Sequence, residues 1–297
     1  MSQAGSAGPL GLIAGAGAMP VRVADAVASA GRPVFCVLLE GFAAPADFAR
    51  HPHEVVALGQ IGRMVAALRA RGARDLVLAG RVTRPSLLSL RFDAEGARLA
   101  AKLGARALFG GDDGLLSAVL HLIRAEGFNP LGAQEVMDGL LMEPGTPTAA
   151  KPDAQARADI ARGIAVAQAL GAADVGQCCV VQQGLVLGVE AIEGTDALLA
   201  RCAGLRREGP GGVLVKLVKP RQDVRADLPA IGPETVRGAA AAGLAGIAVE
   251  ARSGQGAQAA GTIVLDRAET VAAADAAGLF LAAIRPAEFL EAEGRGG

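Results

Sequence analysis

Short apolar runs separated by segments long enough for a helix restrict the fold of this chain more than any other feature. We predict strands over residues 10–15, 33–39, 54–58 and 75–79, and helices over residues 21–30 and 61–71. Strands that alternate with helices are typical of parallel sheets with helices packed on both faces. The first half therefore predicts a Rossmann-like domain of the α/β class.

The second half has a different pattern. After a predicted helix at residues 153–170, apolar runs at residues 178–181 and 185–192 flank a turn at Gly184, as in a β-hairpin. Because a hairpin joins antiparallel strands, the second sheet is predicted to be mixed. We also predict helices at residues 195–202, 233–242 and 269–277, strands at residues 212–218, 244–250, 262–265 and 279–284, and a frayed tail at residues 291–297.

The domain bounds follow from a change in composition. Residues 138–152 are rich in Pro, Gly and Thr, which favours an interdomain linker. We therefore predict an N-terminal domain over residues 1–137 and a C-terminal α/β catalytic domain over residues 153–297. The 297 residues are sufficient for two domains of ordinary size.

The composition excludes some classes of partner. Trp and Tyr are absent and the net charge is −1, so base stacking and attraction to DNA or RNA are both weak. The four cysteines form no Cys-x-x-Cys pair and are predicted to be buried thiols in a reducing compartment. The N-terminus has no basic n-region, and no apolar run reaches the roughly 18 residues of a membrane span. We therefore expect a cytoplasmic protein.

A glycine-rich turn follows the first predicted strand. Gly15 and Gly17 match the first two glycines of a dinucleotide fingerprint, but Pro20 stands where the third is required, and Glu40 is only a loose candidate for a ribose contact. An NAD(P)-dependent oxidoreductase is therefore an alternative. A tight turn that lets a phosphate, a sugar or a neighbouring loop approach the backbone fits better, with Gly15 and Gly17 as candidate substrate-binding residues.

Two further groups of charged residues lie close to predicted element ends. Arg81 and Arg84 follow the fourth predicted strand, where they could bind anionic oxygens or lie on a solvated loop. Asp112 and Asp113 precede a predicted helix at residues 115–126, where they favour the helix start; the alternative is contact with a metal or a sugar hydroxyl. All four are candidate substrate-binding residues.

The most charged loop of the second half is the segment 219–232, directly after the predicted strand 212–218. It contains Lys219, Arg225, Asp223 and Asp227, and its prolines prevent both a regular strand and a clean helix start. If the segment is extended, the two aspartates lie about 13 Å apart, too far for one metal ion unless the loop bends. The alternative is a solvated loop whose charges pair with one another.

The residues of this segment, Lys219-Pro-Arg-Gln-Asp-Val-Arg-Ala-Asp-Leu-Pro-Ala-Ile-Gly232, resemble the signature of the LpxI-type UDP-2,3-diacylglucosamine pyrophosphatases of lipid A biosynthesis. The resemblance extends over residues 10–286. The other motifs that agree are Gly11-Leu-Ile-Ala-Gly-Ala-Gly-Ala-Met-Pro20, Gly59-Gln-Ile-Gly62, Gly80-Arg-Val-Thr-Arg-Pro85, Gly111-Asp-Asp-Gly-Leu-Leu116 and Val189-Glu-Ala-Ile-Glu-Gly-Thr-Asp196.

The resemblance implies metal-dependent hydrolysis of UDP-2,3-diacylglucosamine to UMP and 2,3-diacylglucosamine 1-phosphate. It also implies an essential aspartate in the segment 219–232, so Asp223 and Asp227 are both candidates. It further implies a homodimer that holds its lipid product between the two domains. Because the substrate carries acyl chains, we expect peripheral association with the inner membrane. A nucleotide-sugar binding module without catalytic activity is the remaining alternative.

The residue types of the second half suggest which groups carry this chemistry. Carboxylate oxygens suit Mg²⁺ or Mn²⁺, whereas the three histidines all lie in the first half, which disfavours zinc. The candidate metal ligands are Glu190, Glu193, Asp223 and Asp227. Asp223 or Asp227 would hold the metal or activate water.

The remaining candidates would bind the phosphates and the ribose. Lys216, Lys219 and Arg225 would neutralise the phosphates, and Gln222 would orient a phosphate or the ribose. Gly194 and Thr195, at a predicted helix start, could present backbone N–H groups to a phosphate. Plain N-capping is the alternative for Thr195.

Overall fold

The computed structural model describes residues 8–82, 91–98, 112–220, 223–225 and 227–294. Its contacts divide the chain into two compact units. The first unit contains the chain up to Asp138 and the short segment Asp223–Asp227; the second contains Gly139–Gln222 and Leu228–Gly297. Residues 139–152 thus group with the second unit, and the predicted bounds of the domains and the linker stay predictions.

The first unit is built on a five-stranded sheet in which every neighbouring pair is parallel. Its strands are β1 (Leu10–Ala14), β2 (Val34–Leu39), β3 (His53–Val56), β4 (Asp75–Ala79) and β5 (Asn129–Leu131), in the order β3-β2-β1-β4-β5. The predicted parallel sheet is confirmed. Its order reverses between β1 and β4, the position where ligands of such sheets usually bind.

Helices cover this sheet and bury its apolar residues. They are α1 (Met19–Ser29), α2 (Ile61–Ala70), α3 (Asp112–Ala125) and α4 (Ala133–Val136), with a 3₁₀ turn at Pro45–Phe48. Val23 and Val27 of α1 are buried, and α1 contacts β1, β2 and β4. Met64 and Leu68 of α2 pack in one cluster with Leu120 of α3. In both α1 and α2 the buried side chains named here are four residues apart, which places them on one face of the helix.

The second unit contains a mixed five-stranded sheet, as predicted. Its strands are β6 (Cys178–Gln182), β7 (Leu185–Val189), β8 (Val213–Lys216), β10 (Gly246–Glu250) and β12 (Phe280–Ile284), in the order β12-β10-β8-β6-β7. The strand β6 is antiparallel to both of its neighbours, and the other pairs are parallel. Two short strands, β9 (Ala230–Ile231) and β11 (Ile263–Val264), form a separate parallel pair.

Helices lie on both faces of the second sheet. They are α5 (Ala154–Ala172), α6 (Gly194–Ala203), α7 (Pro233–Ala241), α8 (Arg267–Ala276) and α9 (Pro286–Gly294), with a 3₁₀ turn at Gly256–Gln258. Ile160 and Ile164 of α5 are buried in the cluster on one face. Leu198 of α6 and Val236 of α7 are buried in the cluster on the other. Both faces of β8 are therefore covered, which explains its unbroken apolar run.

Two expectations about single segments can be compared with the structure. The predicted fraying of residues 291–297 is wrong for residues 291–294, because α9 continues to Gly294 and Arg157 of α5 pairs with Glu293. Residues 295–297 lie outside the described residues. The guanidinium of Arg157 also lies 5.1 Å from the centre of the Phe289 ring, which fixes the helix on α5. The four cysteines are free and buried, as predicted.

No helix in the described ranges is both long enough and apolar enough to cross a membrane.

Candidate functional site

The carboxyl end of β8 in the second unit carries a buried lysine. Lys216 is the last residue of the strand and only 7% of it is exposed. Its ammonium group donates to the Thr195 hydroxyl at 2.9 Å and to the backbone carbonyl of Ala230 at 3.0 Å. Ligands of α/β sheets usually bind at this edge. A buried cation here therefore indicates an anion-binding site at the carboxyl edge of the second sheet.

A carboxylate completes this cluster through the same hydroxyl. Thr195 donates to Glu190 Oε1 at 2.7 Å, and the backbone N–H of Gln177 donates to Glu190 Oε2 at 3.1 Å. Glu190 is 7% exposed, so an ammonium and a carboxylate are both buried and joined by one hydroxyl. Buried charges of opposite sign stabilise each other only when hydrogen bonds hold both groups, and here Glu190 accepts from two donors and Lys216 donates to two acceptors. We name Glu190, Thr195 and Lys216 the relay cluster.

The start of α6 places Thr195 in this cluster. Gly194, the first residue of α6, has φ of 79°, a conformation that favours glycine. Thr195 follows directly, in the first turn, and its hydroxyl is also 3.9 Å from Cys178 Sγ. Burial raises the pKa of the Cys178 thiol well above its ordinary value, so this cysteine remains protonated beside the hydroxyl.

The chain that leaves β8 is held by three neighbouring elements. The backbone N–H of Leu217 donates to the carbonyl of Gln177 at 3.0 Å, and that of Val218 donates to Glu250 Oε2 at 3.0 Å. Lys219 pairs with Asp174 at 2.8 Å, just after the end of α5. The predicted phosphate-binding role of Lys219 therefore competes with an ion pair inside the second unit.

The segment Asp223–Asp227 groups with the first unit, and Asp223 is tightly paired there. Both oxygens of Asp223 accept from the Arg225 guanidinium, at 2.8 and 2.7 Å, and Arg124 of α3 lies 3.6 Å away. Chiefly because of the hydrogen bonds from Arg225, the pKa of Asp223 is lowered from its ordinary value. The backbone carbonyl of Val224 accepts from the Gln134 side chain at 3.1 Å.

This segment is bent rather than extended. The backbone N–H of Asp227 lies 3.3 Å from the carbonyl oxygen of Asp223, and residues 224 and 225 form a turn. The separation of about 13 Å that an extended chain would give therefore does not apply. Asp223 Oδ1 also accepts from the backbone N–H of Arg225 at 3.1 Å, a local contact within the turn. Of the alternatives that the sequence left open, the structure therefore has charges that pair within the loop, at Asp223 and Arg225.

The glycine turn of the first unit is occupied by a neighbouring loop. A Cβ atom added at Gly15 would lie 2.7 Å from the Arg81 carbonyl oxygen, and one at Gly80 would lie 2.7 Å from the Gly15 carbonyl carbon. The backbones of Ala16 and Arg81 also exchange two hydrogen bonds, of 2.8 and 2.9 Å. Of the three partners that the sequence allowed at Gly15, the structure has the loop after β4.

Gly17 lies in a more open environment, with φ of 97° and nothing near the position of a Cβ atom. It borders a cavity of about 660 Å³ lined by the first turn of α1 and by residues 42–50. The other predicted residues on this side are described in part only. Arg84 and Gln222 lie outside the described residues, and so do the side chains of Asp112 and Asp113 at the start of α3.

Sequence models of two domains match almost the whole chain. The model of the LpxI N-terminal domain matches residues 9–140, and that of the LpxI C-terminal domain matches residues 143–282. The chain belongs to the LpxI family. It is 42% identical over 285 residues to the UDP-2,3-diacylglucosamine pyrophosphatase LpxI of Caulobacter vibrioides, which covers 94% of this chain and 98% of that protein.

The predicted metal ligands of this LpxI-family chain already have protein partners. Glu190 accepts from a hydroxyl and a backbone N–H, Glu193 pairs with Arg201 at 2.8 Å, and Asp223 is held by an arginine. Among the residues that the structure describes, no three His, Cys, Asp or Glu side chains group as a metal site requires. Within each unit these residues do not fit a metal ion, and we derive no step through one.

Sequence reasoning missed two residues of this LpxI-family site, Glu250 and Gln177. Glu250 ends a strand that the sequence predicts, and a carboxylate at the end of a parallel strand is a usable signal. Gln177 has no such signal, because its backbone groups rather than its side chain contact Glu190 and Leu217. The pairing of β6 with β7 brings Gln177 to Glu190, and the pairing of β6 with β8 brings it to Leu217.

Proposed function

We propose that this LpxI-family chain hydrolyses the pyrophosphate bond of UDP-2,3-diacylglucosamine, giving UMP and 2,3-diacylglucosamine 1-phosphate, in lipid A biosynthesis. The observation that carries the proposal is the match to the Caulobacter vibrioides enzyme, 42% identical over 94% of the chain. Both family domains are present in order. The chain is therefore proposed to be a hydrolase rather than a binding module.

The relay cluster supplies an electrostatic part of the proposed mechanism. Two donors of the Lys216 ammonium are engaged by Thr195 and Ala230. A lysine has three, and no hydrogen bond among the described residues engages the third, which we propose donates to a phosphoryl oxygen. Fixed donors in a site from which water is excluded stabilise the negative charge that develops in the transition state. Glu190 holds the Thr195 hydroxyl and balances the charge of Lys216, which keeps both groups in place before substrate binds.

Asp223 has a different role in this proposal. Hydrogen bonds from Arg225 lower its pKa, and a carboxylate of low pKa is a weak proton acceptor. We therefore propose that Asp223 orients Arg225 toward an anionic group rather than removing a proton from water. Asp227 stays the alternative essential aspartate of the segment.

Release of UMP from UDP-2,3-diacylglucosamine tests the function. We expect turnover by the wild-type chain, and the replacements Asp223→Ala and Asp227→Ala should abolish it in at least one case while circular dichroism shows an intact fold. No UMP release by the wild-type chain with added Mg²⁺ or Mn²⁺ would refute the activity. Full turnover in both variants would remove the segment from the mechanism.

The requirement for a divalent metal ion is a separate proposal and is tested by a separate experiment. We propose that Mg²⁺ or Mn²⁺ is required, because the family resemblance implies it; the described candidate carboxylates are themselves held by protein groups. EDTA should then stop UMP release, and excess Mg²⁺ should restore it. Unchanged turnover in EDTA would show that no metal ion is required. The arginines and lysines would then neutralise the phosphates.

Two properties that the family resemblance implies are also proposed for this chain. We propose a homodimer, which light scattering on the same preparation would detect. We also propose peripheral membrane association, which is supported by exposed apolar side chains at Val175, Leu185, Ile192 and Leu205 of the second unit. Sedimentation with anionic vesicles tests it, and a protein that stays in the supernatant at low salt would contradict it.

A further inference from the structure

Glu250 is a partly buried carboxylate to which the sequence assigns no role. It ends β10, the strand between β12 and β8, and its neighbour Val249 is paired with Lys216 of β8. Burial raises the pKa of Glu250 above its ordinary value. In the described part of the chain its side chain forms no ion pair. Its Oε2 accepts a hydrogen bond from the backbone N–H of Val218 at 3.0 Å.

Burying the Glu250 carboxylate lowers the free energy of unfolding, so a purely structural role does not explain this residue. A partly buried carboxylate loses solvation, and without a cation only its hydrogen bonds compensate. An apolar side chain would fill the end of a central strand at lower cost. A carboxylate therefore indicates that the contact with Val218 itself is needed.

The contact lies where the chain leaves the sheet. Val218 is two residues beyond the end of β8 and directly precedes Lys219, the first residue of the charged segment. Close packing fixes the next residue, since a Cβ atom added at Gly171 of α5 would lie 2.9 Å from Pro220 Cδ. Glu250 thus acts on the last backbone group before the segment that carries the essential-aspartate candidates.

We propose that Glu250 is a positioning residue for the hydrolysis: its carboxylate fixes the Val218 backbone and so sets the direction in which the chain leaves the sheet at Lys219 and Pro220. The proposal rests on the proposed function for its effect on turnover. A displacement of about 1 Å in such a segment can lower a rate by about 100-fold without changing the fold. The contact with Val218 can be measured independently of the reaction.

Three replacements of Glu250 separate the effect of side-chain length from the effect of charge. Glu250→Gln keeps the length and an acceptor oxygen, Glu250→Met keeps the volume but cannot accept, and Glu250→Asp keeps the charge but is one methylene shorter. We expect kcat within about 3-fold of wild type for Gln, and a loss of about 10-fold to 100-fold for Met and Asp. KM should change less than kcat in every variant. Glu288→Gln, an exposed carboxylate paired with Arg285 on α9, is the matched control and should have wild-type kcat.

Two outcomes would overturn the proposal. Wild-type kcat in the Met variant would show that the contact is not needed. An active Asp variant beside an inactive Gln variant would show that Glu250 acts through its charge. If the Met variant does not fold, the comparison of the Gln and Asp variants still decides whether Glu250 acts through its contact with Val218 or through its charge.

Hydrogen exchange at the Val218 amide keeps this inference separate from the proposed function. The amide should be protected in the wild-type chain and in the Gln variant, and should exchange at least about 10-fold faster in the Asp variant. If the wild-type chain releases no UMP, the function fails while this measurement still reports the contact. An amide that is equally protected in the Gln and Asp variants would refute the positioning role itself.

Discussion

The carboxyl edges of the two sheets occupy the same topological position and are used in opposite ways. In the first unit, β1 and β4 run into Gly15 and Gly80, and the loops beyond them pair through Ala16 and Arg81. In the second unit, β8 and β10 end in Lys216 and Glu250, whose side chains reach partners on other elements. One edge is closed by backbone, and the other presents buried charged groups.

The difference shows what glycine-rich turns can and cannot indicate. A glycine after a parallel strand permits close approach of some backbone or ligand, and at Gly15 the approaching group is the Arg81 carbonyl. A buried lysine or carboxylate is more specific, because burial without a partner is costly. Chemistry at a strand end is therefore better inferred from Lys216 than from Gly15.

Replacing Lys216 at the edge of the second sheet is expected to give the largest change in turnover. Lys216→Met removes the ammonium from the relay cluster, so UMP release should fall by about 100-fold or more. Thr195→Val, which removes only the hydroxyl, should give a smaller loss because the cation remains. A steady-state UMP assay measures both, with Arg285→Met, just before α9, as an exposed-cation control. Wild-type turnover in Lys216→Met would show that the second edge is as structural as the first.

Replacing Gly80 tests the closed edge and should change stability. Gly80 has φ of 92°, and a Cβ atom there would contact Gly15 and Pro20 at 2.7 Å. Gly80→Ala should therefore lower the free energy of unfolding by about 3 kcal/mol, from overpacking and backbone strain together. Gly31→Ala is the matched control, with φ of 80° and open space, and should cost about 1 kcal/mol.

Urea unfolding followed by circular dichroism compares the two glycine variants. Equal midpoints for Gly80→Ala and Gly31→Ala would contradict the close approach of the two loops. A normal midpoint for Gly80→Ala with lost UMP release would instead indicate a ligand at this edge.

The smallest effects are expected in the titration of two carboxylates. Hydrogen bonds from Arg225 lower the pKa of Asp223, whereas burial raises that of Glu250. The stabilisation by Asp223 is present above its ordinary pKa, about 3.9, and is lost as the pH falls through its lowered pKa. For Glu250 folding favours the protonated form. Its contribution is complete below its ordinary pKa, about 4.3, and is lost as the pH rises through its raised pKa.

Carbon NMR of the two carboxyl groups measures these shifts. Arg225→Ala should return the pKa of Asp223 toward its ordinary value and leave that of Glu250 unchanged. A pKa of Asp223 that does not respond to Arg225→Ala would contradict the pairing in the segment Asp223–Asp227.

Some elements could be predicted because their signals are local. The strand β4 has the predicted bounds, since its apolar run is flanked by polar residues and Gly80. The hairpin of β6 and β7 follows from two apolar runs and Gly184, which has φ of 77°. The strands β5 and β9 were not predicted, because three and two residues are too few to show a period.

The candidate site was predicted less completely than the fold. Lys216, Thr195 and Glu190 were named from their positions near element ends, and the structure joins them through hydrogen bonds. Their partnership was not predicted, because Glu190 was assigned to a metal. Glu250 is not among the predicted site residues although it ends a predicted strand, and its partner is a backbone N–H two residues beyond the end of β8.

The sequence by itself determined the class of fold and the family. Apolar period, turn residues and motif order are properties of the linear chain, and they specify which segments form strands and which residues are available for chemistry. The tertiary structure decided which charges meet. Whether Gly15 faces a phosphate or Arg81, and whether Lys216 meets the Thr195 hydroxyl, depends on groups brought together from distant positions by burial and strand pairing.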